Sequence, residues 1–142
     1  MALRGKALRS WTFTVEGQPV PKGRHRTATK DRLGRPLSRP HSYTPKRTEK
    51  YEKMVGLCAL AAGVRCAPAG QPVALGVWVY VRQPEAISAI DLSNVIKSAE
   101  DGMNGIAYAD DRQVVMLMGV KRQDRENPRL VVRIRWLTTR CP

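Results

Sequence analysis

Aromatic residues are scarce in this 142-residue chain, at 6%. Its core must therefore be mainly aliphatic, and 42% apolar residues are enough to build one for a single ordinary domain. The cysteines are Cys58, Cys66 and Cys141, in no CxxC or Cys/His spacing. That pattern argues against a disulfide framework and a structural zinc site. It leaves reduced thiols of the kind a cytoplasmic protein keeps, with Cys58 in the core. No apolar run approaches the ~18 residues needed to span a bilayer, so no membrane partner is expected. The basic start Met1-Ala2-Leu3-Arg4-Gly5-Lys6 leads into no apolar segment, so a secretory signal is not expected either. Acidic residues are also few, 12 against 25 basic ones, for a net charge of +13. A surface so basic attracts polyanions, nucleic acid first.

The charge is unevenly spread. Residues 1–50 carry 13 basic and 3 acidic residues, net +10. The 21 residues from Asp91 to Asp111 hold Asp91, Glu100, Asp101, Asp110 and Asp111 against Lys97 alone, net −4. Carboxylates grouped in this way repel phosphate and one another. They make sense inside a basic protein if a divalent cation sits between them and the phosphate.

Along the chain, Trp11 to Val15 alternates apolar and polar residues and predicts a strand. Residues 17–42 are rich in Gly, Pro, Arg and Lys without periodicity, which predicts a long, mobile basic loop. Thr44 as N-cap and Pro45 at the first helical position open a helix that Gly63 ends. Val73 to Arg82 predicts a central strand, with Val73, Leu75, Val77, Val79 and Val81 on one face and Trp78 and Tyr80 on the other. Those two aromatics suit the core or a subunit interface better than base stacking. A second helix is expected from about Ser93 to Asn104, stopped by Gly105. Strands follow from Val114 to Lys121 and from Arg129 to Leu137. The order predicts one α+β domain, a mixed sheet with two main helices packed on it.

Within the second helix, Asn94, Lys97, Asp101 and Asn104 share one face, with Glu100 beside them. Leu92, Val95, Ile96, Ala99 and Met103 lie mostly opposite and should meet the sheet. The plain alternative is a solvated helix face with a Lys97–Asp101 pair worth ~0.3 kcal/mol. Asp110-Asp111 adds carboxylates from a separate element, and two such elements are the usual minimum for holding Mg²⁺. A lysine near them can orient the attacking water or offset charge on the phosphorane-like transition state. Lys22, Arg24 and Arg26 in the loop and Lys46 and Arg47 at the first helix are expected to contact phosphates. Contacts of that kind position a substrate without reading its bases.

Asp91-Leu92-Ser93-Asn94, Lys97, Asp101 and Asp110-Asp111-Arg112-Gln113-Val114-Val115 together resemble the signature of the RusA-type Holliday-junction resolvases. Val15 to Arg24 and Tyr43-Thr44-Pro45 are similar to segments of that family's phage and prophage members. The likeness runs from about residue 11 to 135. It implies a small, homodimeric α+β nuclease that selects and resolves four-way DNA junctions with Mg²⁺ or Mn²⁺. By the same likeness, Asp91 and Asp111 bind metal, Lys97 is the catalytic lysine and Asp110 is their neighbour. A homodimer supplies two sites on a two-fold axis, as symmetric cleavage requires.

The chain departs from the family pattern at Ser93, where the family has a second aspartate. Either activity is impaired, leaving a branched- or single-stranded-DNA-binding protein, or another carboxylate compensates. Glu100 is the natural replacement, so Asp91, Glu100 or Asp101, and Asp111 are expected to hold the metal. Ser93 also suits the helix N-cap. A basic structural role, as in a ribosome component, fits the acidic window poorly.

Overall fold

The alternation of Val73 to Val81 decides the architecture. In the computed structural model, which describes residues 9–138, every second residue of this strand is buried. It takes the centre of a four-stranded sheet. The elements are β1 (Ser10–Glu16), β2 (Arg26–Lys30), β3 (Pro36–Tyr43), α1 (Lys46–Ala61), β4 (Val73–Val81), α2 (Pro84–Ala89), α3 (Leu92–Met103), β5 (Val114–Gln123) and β6 (Arg129–Trp136). The sheet order is β1-β6-β4-β5, and β2 and β3 form a separate hairpin. β4 and β5 run parallel, joined by a crossover through α2 and α3, while the β1–β6 and β4–β6 pairs are antiparallel. The expected mixed-sheet α+β domain is what forms.

One sheet face carries the core. Val73, Leu75, Val77, Val79 and Val81 meet Leu130, Val132 and Ile134 of β6 and Phe13 and Val15 of β1. Tyr51, Val55 and Ala59 of α1 and Val95, Ile96, Ala99 and Met103 of α3 close over them. Full burial of such an aliphatic side chain contributes roughly 1.5–3 kcal/mol. On the opposite face Trp78 and Tyr80 are half-buried. Trp78 lies over Gly76, and the Arg129 guanidinium stacks 3.9 Å from the Tyr80 ring centre.

The helices pack through glycine. A Cβ on Gly102 of α3 would stand 2.6 Å from the Glu52 carbonyl oxygen of α1, and one on Gly56 would stand 2.8 Å from the Gly102 carbonyl oxygen. Backbone-to-backbone packing of this kind brings the outer edge of α1, with Glu52, beside Asp101.

Four local expectations are corrected. Residues 17–42 are not wholly loop, because β2 and β3 pair within and just beyond them. Pro36 and Pro40 are tolerated there because an edge strand can turn a missing N–H toward solvent. Thr44 does not cap α1; Pro45 takes that position without a side-chain hydrogen bond. The connection after β4 holds the short helix α2. The cap of α3 is Asp91 rather than Ser93. Its carboxylate accepts hydrogen bonds from the backbone N–H groups of Ser93 and Asn94, and a carboxylate suits the positive end of the helix dipole. Cys58 is partly buried against the core and Cys66 is exposed, both as free thiols, while Cys141 lies outside the described residues.

Candidate active site

Helix α3 presents Lys97, Glu100 and Asp101 on the side away from the sheet because Val95, Ile96, Ala99 and Met103 hold the other side down. Gly105 then turns the chain with φ +80°, and Tyr108 plugs in beneath the helix, fully buried. Its hydroxyl donates to the Glu100 carbonyl oxygen at 2.8 Å. Gln113 fixes the next turn. Its side-chain oxygen accepts from the Ala109 and Asp110 N–H groups, and its amide donates to Pro68 and Gln71 carbonyls. The chain is thereby returned so that Asp111 faces Lys97.

The Lys97 ammonium is the meeting point. It lies 2.9 Å from Asp111 Oδ2, 3.2 Å from Asp101 Oδ1 and 4.0 Å from Glu100 Oε2. Hydrogen bonding to Asp111 and Asp101 holds its pKa well above the usual lysine value, so it is a cation at any physiological pH. Burial pushes the Glu100 carboxyl up, with Asp111 and Asp101 adding repulsion and Lys97 opposing it. Burial acts on Asp101 in the same direction, but hydrogen bonds from Lys22 and Lys97 outweigh it and lower its pKa.

Of the expected site residues, the structure brings Lys97, Glu100, Asp101 and Asp111 together. Asp91 stands at the start of the same helix, about 9 Å along its axis from Lys97 by helix rise. Its second oxygen accepts from the Asn94 amide at 3.3 Å. Asp110 forms a two-pronged pair with Arg112, whose hydrogen bonds bring its carboxyl down to about 2. Arg24, Arg26, Lys46 and Arg47 are exposed and make no ion pair among the described residues, so they remain open to phosphates. Lys22 departs from expectation. Its ammonium is covered and pairs with Glu52 and, at 2.9 Å, with Asp101. Sequence reasoning missed Glu52, which pairs across 30 residues, and missed the work of Tyr108. Gln113 was visible only as part of the motif.

No three acid, imidazole or thiol groups among the described residues surround one point closely enough to cage a metal ion by themselves. The donor set nevertheless fits a hard divalent cation. It offers carboxylate oxygens that crowd one another and are balanced by ammonium groups. Mg²⁺ binds through one or two carboxylates plus water and substrate phosphate, so a complete protein cage is not required.

The acid–lysine cluster thus lies between the crossover helix α3 and the turn that leads into edge strand β5. The family model described as Endodeoxyribonuclease RusA matches residues 16–135, and the chain belongs to that family. The family comprises metal-dependent endodeoxyribonucleases that resolve Holliday junctions. The chain is also similar to the uncharacterized protein YqaN of Bacillus subtilis (strain 168), at 29% identity over 87% of this chain and 94% of that one.

Proposed function

We propose that this protein is a Mg²⁺-dependent endodeoxyribonuclease that resolves four-way junctions in DNA recombination and repair, acting in the cytoplasm as a homodimer. The observation that carries this reading is the convergence of Lys97, Asp111, Asp101 and Glu100 in a chain of the RusA family.

Asp91, Asp111 and Glu100 would hold the metal, with Asp101 and Asp110 flanking them; Glu100 stands in for the aspartate that Ser93 replaces. A divalent ion held there would supply Lewis-acid chemistry for the hydrolysis of a phosphodiester. Lys97 remains cationic and offsets charge as it builds on the phosphate oxygens. Arg24, Arg26, Lys46 and Arg47 hold the DNA backbone by charge, which suits selection by branch shape. The half-buried Glu100 carboxyl, next to two other acids, is a group whose ionisation a nearby cation favours. Val115, Met116, Leu117 and Met118 on edge strand β5 are exposed apolar residues and support association of two copies.

Ser93 favours a second reading, a junction-binding protein of the same fold that no longer cuts. A synthetic four-way junction incubated with the protein, with and without Mg²⁺, separates the two. Paired nicks that require the metal support the resolvase. Tight binding in EDTA with no nicks after Mg²⁺ addition supports the binding protein.

A further inference from the structure

The segment that joins β1 to the hairpin is fastened at Lys22 and Gly23. The Lys22 N–H donates to the Asn94 carbonyl of α3 at 2.8 Å, and the Gly23 N–H donates to the buried Thr48 hydroxyl of α1 at 3.0 Å. A Cβ on Gly23 would stand 2.8 Å from the Pro45 ring, so the strap lies directly on the start of α1. The Lys22 side chain then runs inward. Its ammonium bridges Glu52 of α1 and Asp101 of α3, and only 18% of the side chain remains exposed. Asp101 is consequently shared, with Oδ2 facing Lys22 at 2.9 Å and Oδ1 facing Lys97 at 3.2 Å.

This sharing has a chemical effect. Lys97 stands between Asp101 and Asp111, and each carboxylate draws it. Lys22 is a second cation on Asp101, and Lys97 lies 2.9 Å from Asp111 and 3.2 Å from Asp101. Without Lys22, Asp101 would depend on Lys97 alone, and Glu52 would be left half-buried without a cation.

We infer that Lys22 is a positioning residue of the cutting site and not a phosphate contact. By holding Asp101 and Glu52, it sets Lys97 against Asp111 and ties the base of the β2–β3 hairpin to α1 and α3. The inference rests on the reading of Lys97 and Asp111 as parts of that site. It couples the basic hairpin to the chemistry, because the chain that leads into the hairpin also holds an acid of the cluster.

The test compares the wild type with Lys22→Met and Lys22→Arg by three readouts. The first is junction affinity in EDTA over a salt series, where binding one phosphate fewer flattens the log–log slope by about 0.9. The second is the single-turnover cleavage rate at saturating junction in Mg²⁺. The third is the ¹⁵N signal of the Lys97 ammonium in the free protein. The expected result for Lys22→Met is an unchanged salt slope, a rate lower by about 10-fold or more, and a displaced Lys97 signal. Lys22→Arg should recover most of the rate. A flattened slope with an unchanged rate at saturation overturns the inference, as does a Lys97 signal that does not move. If Lys22→Met fails to fold, Lys22→Met/Glu52→Gln removes the orphaned acid and is read by the same criteria. A wild type that cuts no junction refutes the nuclease reading, whereas the Lys97 signal still decides the positioning role.

Discussion

Replacing Gly102 by alanine sets two effects of opposite sign against each other. In an open helix, Gly→Ala is stabilising by about 1 kcal/mol, because alanine loses less backbone freedom on folding. Here the new Cβ would lie 2.6 Å from the Glu52 carbonyl oxygen and 3.1 Å from Val55 Cβ. Ordinary contacts begin near 3.4 Å, so α1 and α3 must part by roughly 0.8 Å. Both neighbours belong to the rigid part of α1, so no flexible side chain can yield instead. Overpacking of this kind costs about 1–3 kcal/mol, which outweighs the propensity gain and leaves a net loss of about 1 kcal/mol. For a domain of this size, that lowers Tm by about 3–4 °C in calorimetry or a circular-dichroism melt. Gly56→Ala meets the same crossing from the other side, so the double variant should lose less than the two singles added, since the helices need part only once. A Tm at or above the wild-type value for Gly102→Ala would refute the reasoning, since propensity alone would then govern the position.

Glu100→Gln should raise the Mg²⁺ concentration needed for half-maximal junction cleavage; an unchanged Mg²⁺ requirement would remove Glu100 from the metal site. Neutralising Arg24, Arg26, Lys46 and Arg47 together should flatten the salt dependence of junction affinity by about 0.9 for each phosphate they bind, and an unaltered slope would take them out of the interface. Asp124 accepts hydrogen bonds from Arg129 and from the Asn127 and Glu126 N–H groups, which lower its pKa below the ordinary 3.8. A lowered carboxyl adds stability above the unfolded value and loses it as pH falls through the folded one. A ¹³C titration of Asp124 should therefore show a midpoint below 3.8, and Asp124→Asn should weaken the loss of stability on acidification.

Much of the fold was legible because its signals are periodic. β4 and β6 alternate, and α3 places Val95, Ile96, Ala99 and Met103 on one face, so core and polar stripe separate on paper as they do in space. The hairpin was hidden because Gly34, Pro36 and Pro40 are turn signals, and its strands are almost wholly exposed with no apolar face to reveal them. Asp91 and Ser93 are both good caps for α3 and spacing alone does not choose between them; the helix begins one residue earlier than expected and takes the aspartate. The cluster of Lys97, Asp101 and Asp111 was legible because two of its members share a helix face and the third follows a short turn. The Lys22–Glu52 pair carried no local signal. It depends on how closely α1 approaches α3, which the glycines at 56 and 102 allow.

The Lys97 cluster is the place where we propose that a junction is cut. Single-turnover cleavage of a synthetic four-way junction by Asp111→Asn tests it most directly, with binding measured on the same samples in EDTA. The expected result is junction affinity near that of the wild type and a cleavage rate in Mg²⁺ lower by about 100-fold or more. Cleavage by Asp111→Asn at the wild-type rate would contradict it and place the chemistry elsewhere in the molecule.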